Sequence, residues 1–265
     1  MKTKNISVAI FDIDDTLIQR GQQTIEISAV ESINALKAKG IEVLIATGRA
    51  LYFIQDPIHD IIKPEYTVTI NGACVYNEDH EVVYDVPMER DEVEALLAYA
   101  LKHDLGFATK LRHEMHVYNK METFQTIYLK GSPKGYILKD HYHEALGEET
   151  PMGVFMMGNE ALIEASSPLS PDGHYAKAYD DAYDVYSKRA GKIAGIEYVL
   201  KKIGHTWENV IAFGDAANDL SMLEHAAIGV AMGNAPQHVK DLADYTTLDI
   251  DQDGIEYALK NLNLI

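Results

Sequence analysis

Apolar residues along this chain recur with two alternating periods. Residues 6 to 11, Ile-Ser-Val-Ala-Ile-Phe, form an almost unbroken apolar run, the pattern of a strand buried on both faces of a parallel sheet. From Ser28 to Lys39 the period lengthens. Ala29, Val30, Ile33 and Leu36 recur at helical spacing, and Gly40 stands where a left-handed cap ends such a helix. A second strand over Ile41 to Ala46, a helical stretch, and a third strand over Tyr66 to Ile70 complete a β-α-β-α-β series, which predicts a doubly wound sheet. The alternation returns near the C-terminus, with a helix over Lys192 to Lys202 capped by Gly204. Strands follow over Asn209 to Phe213, Ile228 to Met232 and Tyr245 to Leu248.

Between these two regions the texture changes. From about Val83 to Val185 the pattern predicts a strand, then a helix marked by Val93, Leu96, Leu97, Ala100 and Leu101, then shorter paired strands. Phe107 to Leu111 and Met115 to Tyr118 read as a hairpin, and His174 to Tyr179 and Ala182 to Tyr186 as two further strands. The expected fold class is α/β, a doubly wound, Rossmann-like parallel sheet from residues 1–82 and 186–265. An α+β domain is inserted over residues 83–185.

Composition narrows the function. With 265 residues, 47% of them hydrophobic and 24% charged, the chain can bury a sizeable core, and no low-complexity tract or repeat points to disorder or a solenoid. The formal charge of -18 repels phosphate backbones and anionic lipid, so nucleic acid and membrane are not expected partners. Cys74 is the single cysteine, which rules out an internal disulfide and suits a reducing compartment. Lys2 and Lys4 precede an apolar run too short for a signal peptide, and no stretch approaches the roughly 20 apolar residues of a membrane span. A cytoplasmic location is expected. Oligomeric state is not written in the sequence.

In an open parallel sheet, ligands bind at the carboxyl ends of the strands. Four segments put reactive residues there: Asp12-Ile13-Asp14-Asp15-Thr16 after the first strand, Thr47-Gly48-Arg49 after the second, Lys192 at the start of a late helix, and Asp215-Ala216-Ala217-Asn218-Asp219 after the strand that follows it. Crowded carboxylates repel unless a hard cation neutralises them, and Mg²⁺ prefers oxygen ligands. Asp12 and Asp215 are the expected side-chain ligands. Lys192 adds a fixed positive charge, while the Thr47 hydroxyl and Gly48 amide can hold phosphoryl oxygens. A positioned carboxylate is a competent nucleophile toward phosphorus, which suits Asp12, and Asp14, two residues on, could protonate the leaving alkoxide and later deprotonate water.

Taken in order, these segments resemble the haloacid dehalogenase-like superfamily, in particular its Cof-type sugar-phosphatase branch, which carries a cap between the second and third motifs. The matching residues are Asp12-Ile13-Asp14-Asp15-Thr16-Leu17, Thr47-Gly48-Arg49, Asn71-Gly72-Ala73, Lys192, Gly214 to Asp219 with Met222-Leu223, and Ala231-Met232-Gly233-Asn234-Ala235. The resemblance spans essentially the whole chain. It implies an Mg²⁺-dependent phosphatase acting on a small phosphorylated metabolite through an aspartyl-phosphate. Asp12 is implied as nucleophile and Asp14 as general acid/base. The metal ligands implied are Asp12, the Asp14 backbone carbonyl, Asp215 directly, and Asp219 either directly or through water. Thr47, Gly48, Lys192 and Asn218 fall on phosphate-binding positions, and Arg49 is a candidate for the substrate or for an ion pair. Family members often carry glycine after the motif lysine, whereas Ile193 stands here, and Lys188 is the alternative cation.

Other groupings carry weaker chemistry. His113-Glu114-Met115-His116 lacks the helical spacing of a zinc protease motif, and His141-x-His143 has no nearby set of ligands. Lys110, Arg112, His113, His174 and Tyr175 are inserted-domain residues suited to a polyol or second anion. Tyr175, Tyr179, Tyr183 and Tyr186 fit sheet packing. A phosphorylatable receiver domain would place its acceptor carboxylate after the third strand, where Thr69-Ile70-Asn71-Gly72 stands instead. A sugar phosphomutase keeps the same motifs and stays open as an alternative reaction.

Overall fold

A computed structural model of the protein describes residues 5–128, 138–142 and 144–265, with the side chains of Ile127, Tyr128 and Tyr179 left aside. Lys2, Lys4 and His143 therefore lie outside the described residues. The chain divides into two compact units, one of residues 1–48, 54–84 and 192–265, the other of residues 49–53 and 85–191. Relative to the expected division, the boundaries move by a few residues, and 49–53 joins the second unit.

In the first unit an eight-stranded sheet runs in the order Tyr245–Thr246, Ile228–Ala231, Val210–Gly214, Val8–Phe11, Glu42–Ala46, Tyr66–Thr69, Cys74–Asn77, Val82–Asp85. The pairings from Tyr245–Thr246 through Tyr66–Thr69 are parallel. Cys74–Asn77 then runs antiparallel to Tyr66–Thr69. The apolar run of the first strand has its expected cause. Val8, Ala9, Ile10 and Phe11 are all fully buried at the centre of the sheet, and the Phe11 ring stacks on Phe213 of the neighbouring strand at 5.0 Å. Helix Ile27–Ala38 buries Ala29, Ser32, Ile33 and Leu36, the face its periodicity marks, and Gly40 closes it at φ +79°. Helix Lys192–Ile203 buries Lys192, Gly195, Ile196, Val199 and Leu200.

Two expectations for this unit change. The helical stretch between the second and third strands is only a 3₁₀ turn, Leu51–Phe53, and one π-type turn, Ile58–Ile62. Pro64 stops the latter: proline disfavours right-handed helix in the residue before it, and Lys63 takes φ +48°. The strand read as the opening of the inserted domain, Val82–Asp85, is the edge of the large sheet.

The second unit holds a six-stranded sheet in the order Gly173–Tyr179, Ala182–Ser187, Gly153–Met157, Gly106–Lys110, Met115–Asn119, Leu138–Asp140. Only its last pair is parallel. Helix Arg90–Lys102 packs Val93, Leu96, Leu97 and Ala100 among Phe107, Tyr118, Val154, Met156 and Val185. Gly153–Met157, next to the middle of the sheet, has no counterpart in the sequence reading. Lys110 is buried and ion-paired with Asp184, its ammonium 5.5 Å from the Phe155 ring centre. Arg112 pairs with Asp85 and Glu149, and the Tyr183 hydroxyl donates to Glu160 at 2.6 Å.

Candidate active site

Parallel pairing places the motif segments together. Phe11 and Phe213 are register partners in adjacent strands, so the chain turns that follow them leave the sheet side by side. Asp12 is fixed by its amide, which donates to the Phe213 carbonyl at 3.0 Å. Asp15, at φ +56°, reverses the chain behind it. Its carboxylate accepts from the Arg20 amide at 2.7 Å and its carbonyl from Asn234 Nδ2 at 2.8 Å.

Across the strand boundary, Asp219 organises its own loop. Its Oδ2 accepts from the amides of Asp215 at 3.1 Å and Ala216 at 3.0 Å, which leaves Oδ1 for Lys192 at 2.6 Å. This folding back requires glycine at 214, where a Cβ would lie 2.6 Å from the Asp219 side chain. Lys192, only 3% exposed, also donates to Asp12 Oδ1 at 2.6 Å. One ammonium thus bridges two motifs that stand far apart in the chain.

Carboxylate oxygens of Asp12, Asp215 and Asp219 lie within 4.8 Å of one another, and all three residues are buried. Three acids against one lysine leave net negative charge in a poorly solvated place, and the carboxyls respond. Burial, the charge of Asp219 and that of Asp14 push Asp12 well above the ordinary carboxyl range, against the pull of Lys192. Asp215 is raised to about 7 by burial and by Asp219 and Asp15, with Lys192 and Arg20 opposing. Burial works to lower Lys192, but Asp12 and Asp219 outweigh it and hold the ammonium charged. A hard divalent cation fits this donor set. It consists of oxygens alone, carries excess negative charge, and has no sulfur or imidazole that would favour a softer metal.

The second motif approaches from its own strand. Thr47 is buried, and its amide donates to Val68 O at 2.9 Å while its carbonyl accepts from the Asn71 amide at 3.0 Å. Gly48 follows against the Asn71 side chain. Asn218 donates to Asn71 Oδ1 at 3.2 Å. Asp14 is half-buried and pairs with Ile18 in an isolated bridge; its carboxylate is not in the three-acid group. Arg49 belongs to the second unit, where it donates to Phe53 O at 3.0 Å. Lys188 is exposed in the same unit and donates to Pro171 O at 2.6 Å. Neither histidine grouping forms a three-ligand cluster among the described residues, although His116 and His141 stack at 4.1 Å. Asn71, quoted in the motif but given no role in the sequence reading, is the residue that joins the Thr47 and Asn218 segments.

The family model for haloacid dehalogenase-like hydrolases matches residues 9–259. The chain belongs to that family. Among similar solved structures is a haloacid dehalogenase subclass IIB sugar phosphatase, with a TM-score of 0.88 and 31% identity over 97% of this chain and 99% of that one. YkrA of Bacillus subtilis, provisionally named a phosphatase, is 30% identical over 96% of this chain and 97% of its own. A Streptococcus pyogenes protein, provisionally named a bifunctional phosphatase/peptidyl-prolyl cis-trans isomerase, is 30% identical, and this chain spans 55% of its length. The resemblance carried by the motifs is borne out, as is the α/β fold class with its parallel core. A phosphoric monoester hydrolase is the enzyme class these matches support. No helix among the described residues is long and apolar enough to cross a membrane.

Proposed function

We propose that this protein is an Mg²⁺-dependent phosphatase of small phosphate monoesters, sugar phosphates foremost, that works through an aspartyl-phosphate at Asp12 in the cytoplasm. The observation that carries the reading is the Asp12 carboxylate at the carboxyl end of the central strand, bridged by Lys192 to Asp219 at 2.6 Å on each side. The relatives named as phosphatases support the substrate class.

Asp12, Asp215 and Asp219, with the Asp14 carbonyl, would hold the metal, which when bound offsets the repulsion between a carboxylate nucleophile and an anionic phosphoryl group. Lys192 serves the same end from the other side. Its ammonium opposes the rise that burial and Asp219 impose on the Asp12 carboxyl and offers a charge to the phosphoryl oxygens. The Thr47 hydroxyl, the Gly48 amide and Asn218 orient the phosphoryl group. Asp12 then attacks phosphorus in line: a bond forms from its oxygen to phosphorus, the ester P–O bond breaks, and the leaving alkoxide takes a proton from Asp14. In the second half Asp14 takes a proton from water, the hydroxide oxygen bonds to phosphorus, and the bond to Asp12 breaks, releasing orthophosphate. The position of Lys192 favours it over Lys188 as the phosphate-binding lysine.

Phosphate release from a panel of sugar phosphates, measured with Mg²⁺ and with EDTA, tests the reading. Metal-dependent release in step with substrate loss is expected. An isomerised sugar phosphate without net release, or no turnover across the panel, would overturn hydrolysis.

A further inference from the structure

After strand Tyr66–Thr69 the backbone takes three consecutive positive φ angles, +49° at Ile70, +50° at Asn71 and +93° at Gly72. Glycine adopts this region freely and asparagine tolerates it, but a β-branched residue does not, and Ile70 there represents strain of about 1–3 kcal/mol. The surroundings hold it. Ile70 is buried, its carbonyl accepts from the Ala73 amide at 3.1 Å, and the Asn71 amide is tied to Thr47 O at 3.0 Å.

This strained turn buries the Asn71 side chain to 4% exposure between two segments assigned above to the phosphate. Its Oδ1 accepts from Asn218 Nδ2 at 3.2 Å. Its amide lies so close to Gly48 that a Cβ there would be 3.1 Å from Oδ1 and 3.2 Å from Nδ2. Among the described residues no acceptor is found for Asn71 Nδ2, and it is not one of the fully enclosed unpaired polar atoms, so this donor can be reached from outside the protein. It stands beside Gly48 and Asn218, the residues proposed above to orient the phosphoryl group.

We infer that Asn71 is a further phosphate-binding residue, its Nδ2 donating to a phosphoryl oxygen held between Thr47-Gly48 and Asn218 while its Oδ1 fixes the Asn218 amide. The assignment rests on the phosphatase reading but is tested by binding as well as turnover. Asn71→Gly keeps the positive φ and removes the amide. Asn71→Asp keeps the shape, the tolerance of φ and the acceptor for Asn218, but replaces the donor with a negative charge.

With Mg²⁺ present, calorimetric titration of inorganic phosphate into the full chain is expected to give about tenfold or weaker affinity for Asn71→Gly, the range for losing a hydrogen bond to a charged group. Asn71→Asp is expected to bind more weakly still, because its charge opposes the anion. In turnover, KM and the inhibition constant for phosphate rise together, whereas a purely structural defect would lower kcat and leave that constant unchanged. Phosphate affinity within twofold of wild type in Asn71→Asp would overturn the inference, and so would a lowered kcat with an unchanged phosphate inhibition constant. If Asn71→Gly fails to fold, the isosteric Asp variant decides alone. Wild-type protein that binds phosphate yet hydrolyses no ester overturns the phosphatase reading instead, and leaves Asn71 to be judged by the titration.

Discussion

Replacing Lys192 with methionine keeps the aliphatic stem and removes the one charge that bridges Asp12 and Asp219. Both contacts are 2.6 Å, and the lysine side chain is 1% exposed, so water cannot substitute for it readily. Breaking a buried pair by removing one partner typically costs about 3–5 kcal/mol, because the remaining charge is left uncompensated. For a chain of this size that corresponds to a fall of about 10 °C in melting temperature. The loss depends on pH. Asp12 and Asp215 already have raised pKa values, so at lower pH they take up protons and relieve the repulsion, while at higher pH they cannot. Thermal unfolding in EDTA is therefore expected to separate variant from wild type more at about pH 8 than at about pH 6. Added Mg²⁺ is expected to raise the melting temperature of the variant more than that of wild type, since it meets an uncompensated cluster. A melting temperature within about 2 °C of wild type at the higher pH, or an equal Mg²⁺ effect, would refute the claim that Lys192 is the neutralising charge of the site.

Asp12→Asn is expected to abolish phosphate release while keeping the fold, with phosphate release and circular dichroism measured on the same sample. Asp14→Asn is expected to slow turnover most for esters with poor leaving groups, and an equal loss for all leaving groups would remove it as the acid. The Asp215 carboxyl, raised from 3.8 to about 7, has a higher pKa folded than unfolded, so its ionisation disfavours the metal-free fold as pH rises through that window. Mg²⁺ competes with its proton, and affinity is expected to fall as pH drops below about 7, with proton release visible by calorimetry in buffers of different ionisation enthalpy. Gly214→Ala is expected to displace the Asp219 carboxylate, weakening Mg²⁺ binding by calorimetry. Asp184→Ala, which leaves the buried Lys110 unpaired, is expected to destabilise the second unit by about 3–5 kcal/mol in denaturant unfolding.

The central strands were legible because burial on both faces demands an unbroken apolar run, and Val8–Phe11 and Val210–Gly214 both have one. The carboxylates and Lys192 were legible because their residue types and order leave few other uses. Gly153–Met157 was not, since a five-residue apolar run has no period to distinguish it from a buried helical turn. Helical conformation between 51 and 62 was legible, but not its division into the short turns Leu51–Phe53 and Ile58–Ile62, which the spacing of apolar residues does not announce. Asn71 could be quoted as part of a motif, but its role depends on a left-handed turn at Ile70 that no residue preference predicts. Asn-Gly directly after a strand was the available signal, and it announces a turn without saying what the asparagine touches.

The pairing of Val8–Phe11 with Val210–Gly214 also bears on how the protein is made. During synthesis, the first strand emerges some two hundred residues before its central partner. Until then one edge of a fully apolar strand has Glu42–Ala46 beside it and nothing on the other side, the kind of open edge that recruits strands from other chains. Pairing across such a separation is slow, because the intervening chain must close a long loop before the contact forms. Asp12 and Asp215 therefore meet only when the last part of the core docks. The same step that covers this open strand edge is the step that brings Asp12 and Asp215 together.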